Sequence, residues 1–154
     1  HQIVLLLCCA AIFSISAVYS LAFSPGKRYL FYFPAVNGES VQSEVRFLPP
    51  VHGTEARLAL FLDELLLGPR SPELDPLYER GTSVVSCLFR QGDAYVNLSK
   101  SALSFGIGNE DPKKVYILFK KNVCTNFRNV DRIYLYVDGI EVFRETPGIA
   151  EAEK

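Results

Sequence analysis

Apolar residues between positions 54 and 69 recur with helical spacing and predict the element around which the fold is organised. The positions i, i+3, i+4 and i+7 of one stripe are apolar, whereas the opposite side is charged. Thr54 is placed to cap the first turn, and Gly68 with Pro69 predicts the end of the helix. The stripe consists of Leu58, Phe61, Leu62 and Leu65, widened by Ala59 and Leu66, and faces away from Glu55, Arg57, Asp63 and Glu64.

Alternating apolar and polar positions before this helix predict a β-hairpin. Strands at 30–36 and 41–47 flank Asn37-Gly38, a pair that fits a type I′ turn. Pro34 has no amide donor, so the first strand is predicted to lie at a sheet edge, where it could also dock a partner. In the second strand the alternation predicts one buried face, made of Val41, Ser43, Val45 and Phe47.

The rest of the chain predicts a second hairpin, a second helix and a final strand pair. A loop at 70–81 leads to strands at 83–89 and 94–98, and strands at 132–137 and 140–143 are joined by Asp138-Gly139. Asp111 and Pro112 open a helix that runs to about Asn126. The predicted class is therefore α+β, with a mixed sheet of about five to six strands and two helices packed on one face.

The N-terminal segment 1–26 reads as a hydrophobic leader. No residue from Gln2 to Gly26 is charged, and the 21 residues from Ile3 to Phe23 would cross a hydrocarbon core of roughly 30 Å. A transmembrane anchor competes with a cleaved signal peptide ending near Ala22. A lipoprotein anchor at Cys8 or Cys9 fits poorly, because no small residue precedes either. We expect a single globular domain at 27–144 and a polar tail at 145–154.

Composition and residue spacing exclude several chemistries. The net charge is -1 and the charges are interspersed, so nucleic acid is not an expected partner. No histidine pair or cysteine pair has metal-ligand spacing, and no catalytic set or cofactor motif is recognisable. Cys87 and Cys124 are expected to be small core residues, although a disulfide between them could form outside the cytoplasm. The sequence thus predicts no enzyme, metal or cofactor.

Three tyrosines form the candidate partner surface. If both helices cover one face of the sheet, Tyr95, Tyr134 and Tyr136 fall on the other face, on strands that the intervening helix makes neighbours. Tyrosine offers a large contact area at low conformational cost, and its hydroxyl tolerates water when unbound. Ordinary aromatic cover of a half-exposed sheet is the competing interpretation.

The order of local motifs from 52 to 143 resembles the GerMN domain, the sporulation and spore germination domain of bacterial envelope proteins. The resemblance rests on Leu65-Leu66-Leu67-Gly68-Pro69, Ala94-Tyr95-Val96-Asn97-Leu98-Ser99, Asn122-Val123-Cys124-Thr125-Asn126-Phe127, Asn129-Val130-Asp131-Arg132-Ile133 and Val137-Asp138-Gly139. It implies a membrane-attached, extracytoplasmic domain with a compact fold similar to ring-building modules. It also implies a role in protein assembly rather than catalysis.

Two functional hypotheses follow. The first is a non-enzymatic interaction or assembly domain, anchored in the membrane by the leader, whose partner is another envelope protein or a second copy of the chain. The alternative is a ligand-binding envelope module that senses a cell-wall fragment or small molecule. A pocket near residues 70–81 would favour this alternative.

Overall fold

The computed structural model describes residues 10–16, 26–37, 40–105 and 111–143. Residues 10–16 are helical and are called α1 here. The other elements are β1 (Lys27–Pro34), β2 (Val41–Leu48), α2 (Thr54–Leu66), β3 (Val84–Arg90), β4 (Asp93–Leu98), a 3₁₀ helix (Lys100–Leu103), α3 (Pro112–Asn126), β5 (Arg132–Val137) and β6 (Ile140–Phe143).

Most of the predicted leader at 1–26 and the whole predicted tail at 145–154 lie outside the described residues. Across the ranges that the structure does describe, no helix is both long enough and apolar enough to cross a membrane.

Within the described residues six strands form two sheets, so the predicted single sheet is wrong. The α+β class is confirmed, and six strands agree with the predicted five to six. β1 pairs with β2 in an antiparallel two-stranded sheet. The other four strands are ordered β3-β4-β5-β6, with β4 and β5 parallel and the two outer pairs antiparallel. The parallel pair requires a crossover, and α3 provides it.

Two asparagines of α3 occupy the edge of β1 at which another strand would pair. Asn122 accepts from Tyr32 N (2.8 Å) and donates to Tyr32 O (2.9 Å). Asn126 makes the same two bonds with Leu30, at 2.9 and 2.6 Å. Four residues of helix rise about 6 Å and two residues of strand about 6.6 Å, so the two spacings match. This edge of β1 is therefore closed. A partner that docked along the strand beside Pro34 would find the amide and carbonyl groups of Leu30 and Tyr32 already bonded to α3.

Helices α2 and α3 and both sheets share one core, and Phe61 of α2 lies at its centre. Its ring is stacked on Phe31 of β1, with ring centroids 4.6 Å apart, and also contacts Tyr29 and Phe127. The predicted stripe of α2 is buried in this core, apart from the half-buried Ala59. The apolar residues that α3 buries there are Val115, Leu118, Phe119 and Val123. The inner face of the larger sheet completes it with Ala94, Val96, Leu98, Ile133, Leu135 and Val137.

The helix ends confirm most of the predicted signals. Asp111 accepts a hydrogen bond from Lys113 N (2.9 Å) and caps α3, and Gly68, with φ +85°, ends α2. Thr54 does not cap α2, since its hydroxyl instead accepts bonds from the side chains of Arg57 and Asn129. The chain continues directly from the end of α2 into the loop at 70–81.

The first hairpin forms, but its predicted buried face is wrong. Pro34 pairs with Val41 and Ala35 N donates to Ser40 O (2.8 Å), which is the register that the predicted turn at Asn37-Gly38 requires. Gly38 itself lies outside the described residues. In β2 the alternation is inverted: Arg46 is 2% exposed, whereas Phe47 is 62% exposed. The polar contacts that hold Arg46 inside are described with the second candidate site.

Candidate functional site

The structure brings the three predicted tyrosines together on the open face of the four-stranded sheet. Tyr95 of β4 lies opposite Tyr134 of β5, and Tyr136 is two residues further along β5. The rings of Tyr95 and Tyr134 are parallel within 7°, with centroids 4.8 Å apart. All three side chains are half-buried, because their neighbours on this face are side chains of the same sheet. We call this surface the tyrosine face.

A shallow depression of about 340 Å³ lies in the tyrosine face. Its volume lies at the lower end of the range of small-molecule sites, and a depression of this size can also accept an apolar or aromatic side chain of a protein partner. Asn97 at its margin accepts a hydrogen bond from Gly139 N (3.0 Å), which fixes the β5–β6 turn beside it. The depression is lined by Ser86, Leu88, Tyr95, Asn97, Tyr136 and Gly139.

Charged groups lie at the margins of the tyrosine face rather than at its centre. Arg132 makes a two-point ion pair with Asp93, at 2.8 and 2.9 Å. Glu141 of β6 lies opposite Tyr136. Desolvation, followed by the charge of Asp93, raises the pKa of Tyr95. This phenol therefore stays protonated at neutral pH, and the face presents aromatic area with hydroxyl groups and a charged rim.

A second site is a cleft beside the loop that follows α2. Its volume is about 920 Å³, within the range of small-molecule sites. Arg70, Asp75, Glu79 and Arg80 bring two cations and two carboxylates to its walls. The remaining lining residues are Leu67, Gly68, Pro69, Ser71, Pro72, Leu74, Pro76, Ser104 and Phe105.

Two residues of β2 fix one wall of this cleft. Arg46 donates to Glu64 O (2.9 Å), Gly68 O (2.7 Å) and the Glu44 carboxylate (2.9 Å). Glu44 also accepts bonds from the backbone amides of Arg70 and Ser71. Burial by itself raises the pKa of Glu44, but the bonds from Arg46 and the two amides outweigh it and lower the pKa. The loop is thus attached to the hairpin by a buried ionic network.

The remaining candidate residues do not converge. His52 is exposed, and no disulfide joins Cys87 to Cys124. Burial, with smaller contributions from Glu55 and Asp63, raises the pKa of the Cys87 thiol to about 11. Within the described ranges, no three His, Cys, Asp or Glu side chains are placed to hold a metal ion.

Sequence analysis identified neither the polar residues that fix the wall of the cleft nor those that close the edge of β1. Asn122 and Asn126 lie one helical turn apart beside the apolar stripe of α3, a signal that could have indicated a buried polar contact. Glu44 and Arg46 gave no such signal, because alternation assigned them to the solvent side of β2. Ser104 and Phe105 enter the cleft through tertiary packing alone.

Comparison with known families defines the class of protein. The Germane family, described as sporulation and spore germination, matches residues 30–143, so the chain belongs to this family. The match includes the first hairpin, which lies outside the 52–143 segment predicted from the motifs. A search of curated protein sequences found no match.

Two solved structures from Bacillus subtilis resemble this chain. The first GerMN domain of the sporulation protein GerM is 19% identical, with a TM-score of 0.58 over 79% of this chain and 90% of that one. The tandem GerMN domains of GerM give a TM-score of 0.55 at 19% identity, over 79% of this chain and 42% of that one. At this identity the likeness shows the fold, and the chain has the fold of a GerMN domain.

Proposed function

We propose that this chain is a non-enzymatic interaction domain of the bacterial envelope, which binds a protein partner through the tyrosine face. The observation that carries the proposal is the parallel stack of Tyr95 and Tyr134 beside Tyr136 on an open sheet face. Aromatic side chains around a small depression are typical of the centre of a protein interface, where they supply most of the binding energy. The rim formed by Asp93 and Arg132 would orient the partner.

The family supports the cellular setting of this proposal. Its description links the domain to sporulation and spore germination. The uncharged apolar segment from Gln2 to Gly26 supports attachment to a membrane. The resemblance to GerMN domains of bacterial envelope proteins supports an extracytoplasmic position for the globular domain. In this setting the partner is another envelope protein or a second copy of the chain.

The test is chemical cross-linking of the full-length protein in intact cells, with adducts identified by mass spectrometry. We expect a discrete protein adduct that Tyr134→Ala with Tyr136→Ala abolishes, because these are two of the three tyrosines of the tyrosine face. The matched control is Tyr32→Ala, which removes a half-exposed tyrosine from the other sheet. A folded double variant that keeps the adduct would contradict the proposal.

The cleft beside residues 67–80 supports a second candidate function, binding of a cell-wall fragment or small molecule. Its two arginines and two carboxylates could bind a ligand that carries both charges, such as a peptide stem with free termini. Thermal shift measured with purified muropeptides would test this. A shift that Arg70→Ala with Arg80→Ala removes would support ligand binding, and no shift at millimolar ligand would exclude it for this class.

A further inference from the structure

The outward side of the β1–β2 hairpin is an exposed apolar surface on the other sheet, distinct from the tyrosine face. Val41 is 49% exposed, Val45 is 44% exposed and Phe47 is 62% exposed. Their cross-strand partners Pro34, Leu30 and Arg28 extend outward beside them. We call this surface the hairpin face.

The hairpin face is apolar because the burial pattern of β2 is inverted, with Arg46 inside and Phe47 outside. Burying Arg46 requires several hydrogen bonds and an ion pair, while the same strand leaves Phe47 in solvent. Scattered apolar residues on a surface are ordinary, but Val45 and Phe47 occupy consecutive outward positions of β2, and only Ser43, paired with Tyr32, separates them from Val41. A contiguous apolar patch of this kind marks a surface that binds a membrane or another molecule.

The charge of the hairpin face indicates what it binds. The outward positions of both strands carry no carboxylate, and Arg28 is their one charged residue. Lys121 of α3 places its ammonium 4.4 Å from the centre of the Tyr32 ring, at the margin of the same surface. Apolar side chains flanked by cations match an anionic lipid surface, where apolar groups enter the acyl boundary and cations contact phosphates.

The position of the face along the chain points to the same partner. The uncharged apolar segment ends at Gly26, two residues before Arg28, and Arg28 is paired with Phe47. A Cβ atom at Gly26 would collide with the carbonyl oxygen of Leu48, so the chain enters β1 in close contact with the end of β2. The predicted span ends at Phe23, and the five extended residues from there to Arg28 reach at most about 17 Å, so an anchored leader would hold Phe47 near the bilayer.

We propose that the hairpin face lies against the surface of an anionic membrane, with Val45 and Phe47 in the headgroup region and Arg28 and Lys121 on lipid phosphates. The proposal extends the membrane attachment in the proposed function, but the surface itself acts without the leader. All described residues of the buried core lie between Tyr29 and Val137, so a domain lacking the leader keeps its core.

Flotation of the leaderless domain with vesicles tests the proposal. We expect binding to vesicles of phosphatidylcholine with about one-third phosphatidylglycerol, weakening with salt, and much weaker binding to phosphatidylcholine alone. Val45→Ser with Phe47→Ser should weaken binding to the anionic vesicles at least about tenfold. Val85→Ser with Leu103→Ser, which removes two exposed apolar residues that belong to neither proposed surface, should leave it unchanged.

Three results would overturn the proposal. The first is that the folded domain does not bind anionic vesicles. The second is that both double variants lose vesicle binding equally. The third is that the domain sediments as a dimer and that Val45→Ser with Phe47→Ser converts it to a monomer. The last would identify a second copy as the occupant of the face. The assay contains no protein partner, so failure of the tyrosine face to bind protein would leave these outcomes unchanged.

Discussion

At the scale of single residues, Arg46 connects the hairpin to the end of α2. Its guanidinium group contacts two backbone carbonyls and the Glu44 carboxylate, and lies 4.7 Å from the centre of the Phe31 ring. Its Nε atom is buried without a hydrogen-bond partner. Removing one member of such a buried network leaves the others unsatisfied, and this cost exceeds the value of the intact pair.

We therefore expect Arg46→Met to destabilise the domain by about 3–5 kcal/mol, because Glu44 and the carbonyls of Glu64 and Gly68 lose their donor. Urea unfolding of the leaderless domain measures this change. Phe47→Met, one position along the same strand but exposed, is the control and should change the free energy of unfolding by less than about 1 kcal/mol. A loss below about 1 kcal/mol for Arg46→Met would contradict the role of the network.

The lowered pKa of Glu44 predicts how the stability of the domain depends on pH. Its pKa in the folded state is lowered from 4.5, so its contribution to stability is complete above pH 4.5 and declines as the pH falls through that value toward the lower, folded pKa. Glu44→Gln should remove this contribution, so unfolding curves between pH 3 and pH 6 should show a shallower acid slope. An acid slope identical to that of the unsubstituted protein would show that other carboxylates dominate.

At the scale of elements, the pairing of α3 with β1 explains why the sheet divides in two. Asn122 and Asn126 bond the amide and carbonyl groups of Tyr32 and Leu30, and in doing so occupy the edge that a neighbouring strand would use. The helix thus protects an edge strand that would otherwise be free to pair with another chain.

Asn122→Ala should destabilise the domain by about 2–4 kcal/mol, because the amide and the carbonyl of Tyr32 both lose a partner. The Tyr32 amide should also exchange with deuterium much faster than in the unsubstituted protein. Asn129→Ala is the matched control, since Asn129 makes one exposed bond to Thr54. Equal effects of the two substitutions would show that the asparagine pairing with β1 is not a source of stability.

The sequence predicted the elements well, because each has a local physical signal. The stripe around Phe61, the cap at Asp111 and the turn at Asp138-Gly139 each depend on neighbours a few residues away. The division into two sheets and the inversion of β2 depend on partners far along the chain. Alternation cannot show that Arg46 finds two carbonyls and a carboxylate in the interior, and it therefore assigned Phe47 to the core.

The candidate sites, like the elements, could be predicted where local patterns define them and not where distant segments meet. The three tyrosines could be placed together, because period-two alternation and one crossover helix fix their face and their neighbours. The loop at 70–81 was recognised as the place where a pocket would matter, but the walls contributed by Leu67, Ser104 and Phe105 arise from packing between distant segments. The hairpin face could not be predicted, since it follows from the burial of Arg46.

At the scale of the whole molecule, the two proposed surfaces are built on different sheets. The hairpin face belongs to β1 and β2, next to the apolar segment, whereas the tyrosine face belongs to the four-stranded sheet. A domain with this division could contact lipid with one surface while the other binds protein. We expect substitutions on one surface to leave binding at the other unchanged, because the two surfaces lie on different sheets and have no residue in common.

The most direct test of the account places a photo-cross-linking amino acid at position 136 of the full-length protein in intact cells. The account predicts a discrete protein adduct at this position, lost when Tyr134→Ala is added. The same group at position 117, where Ile117 is exposed on α3, should not form that adduct. The absence of an adduct at 136, or the same adduct at both positions, would contradict the claim that the tyrosine face binds a partner.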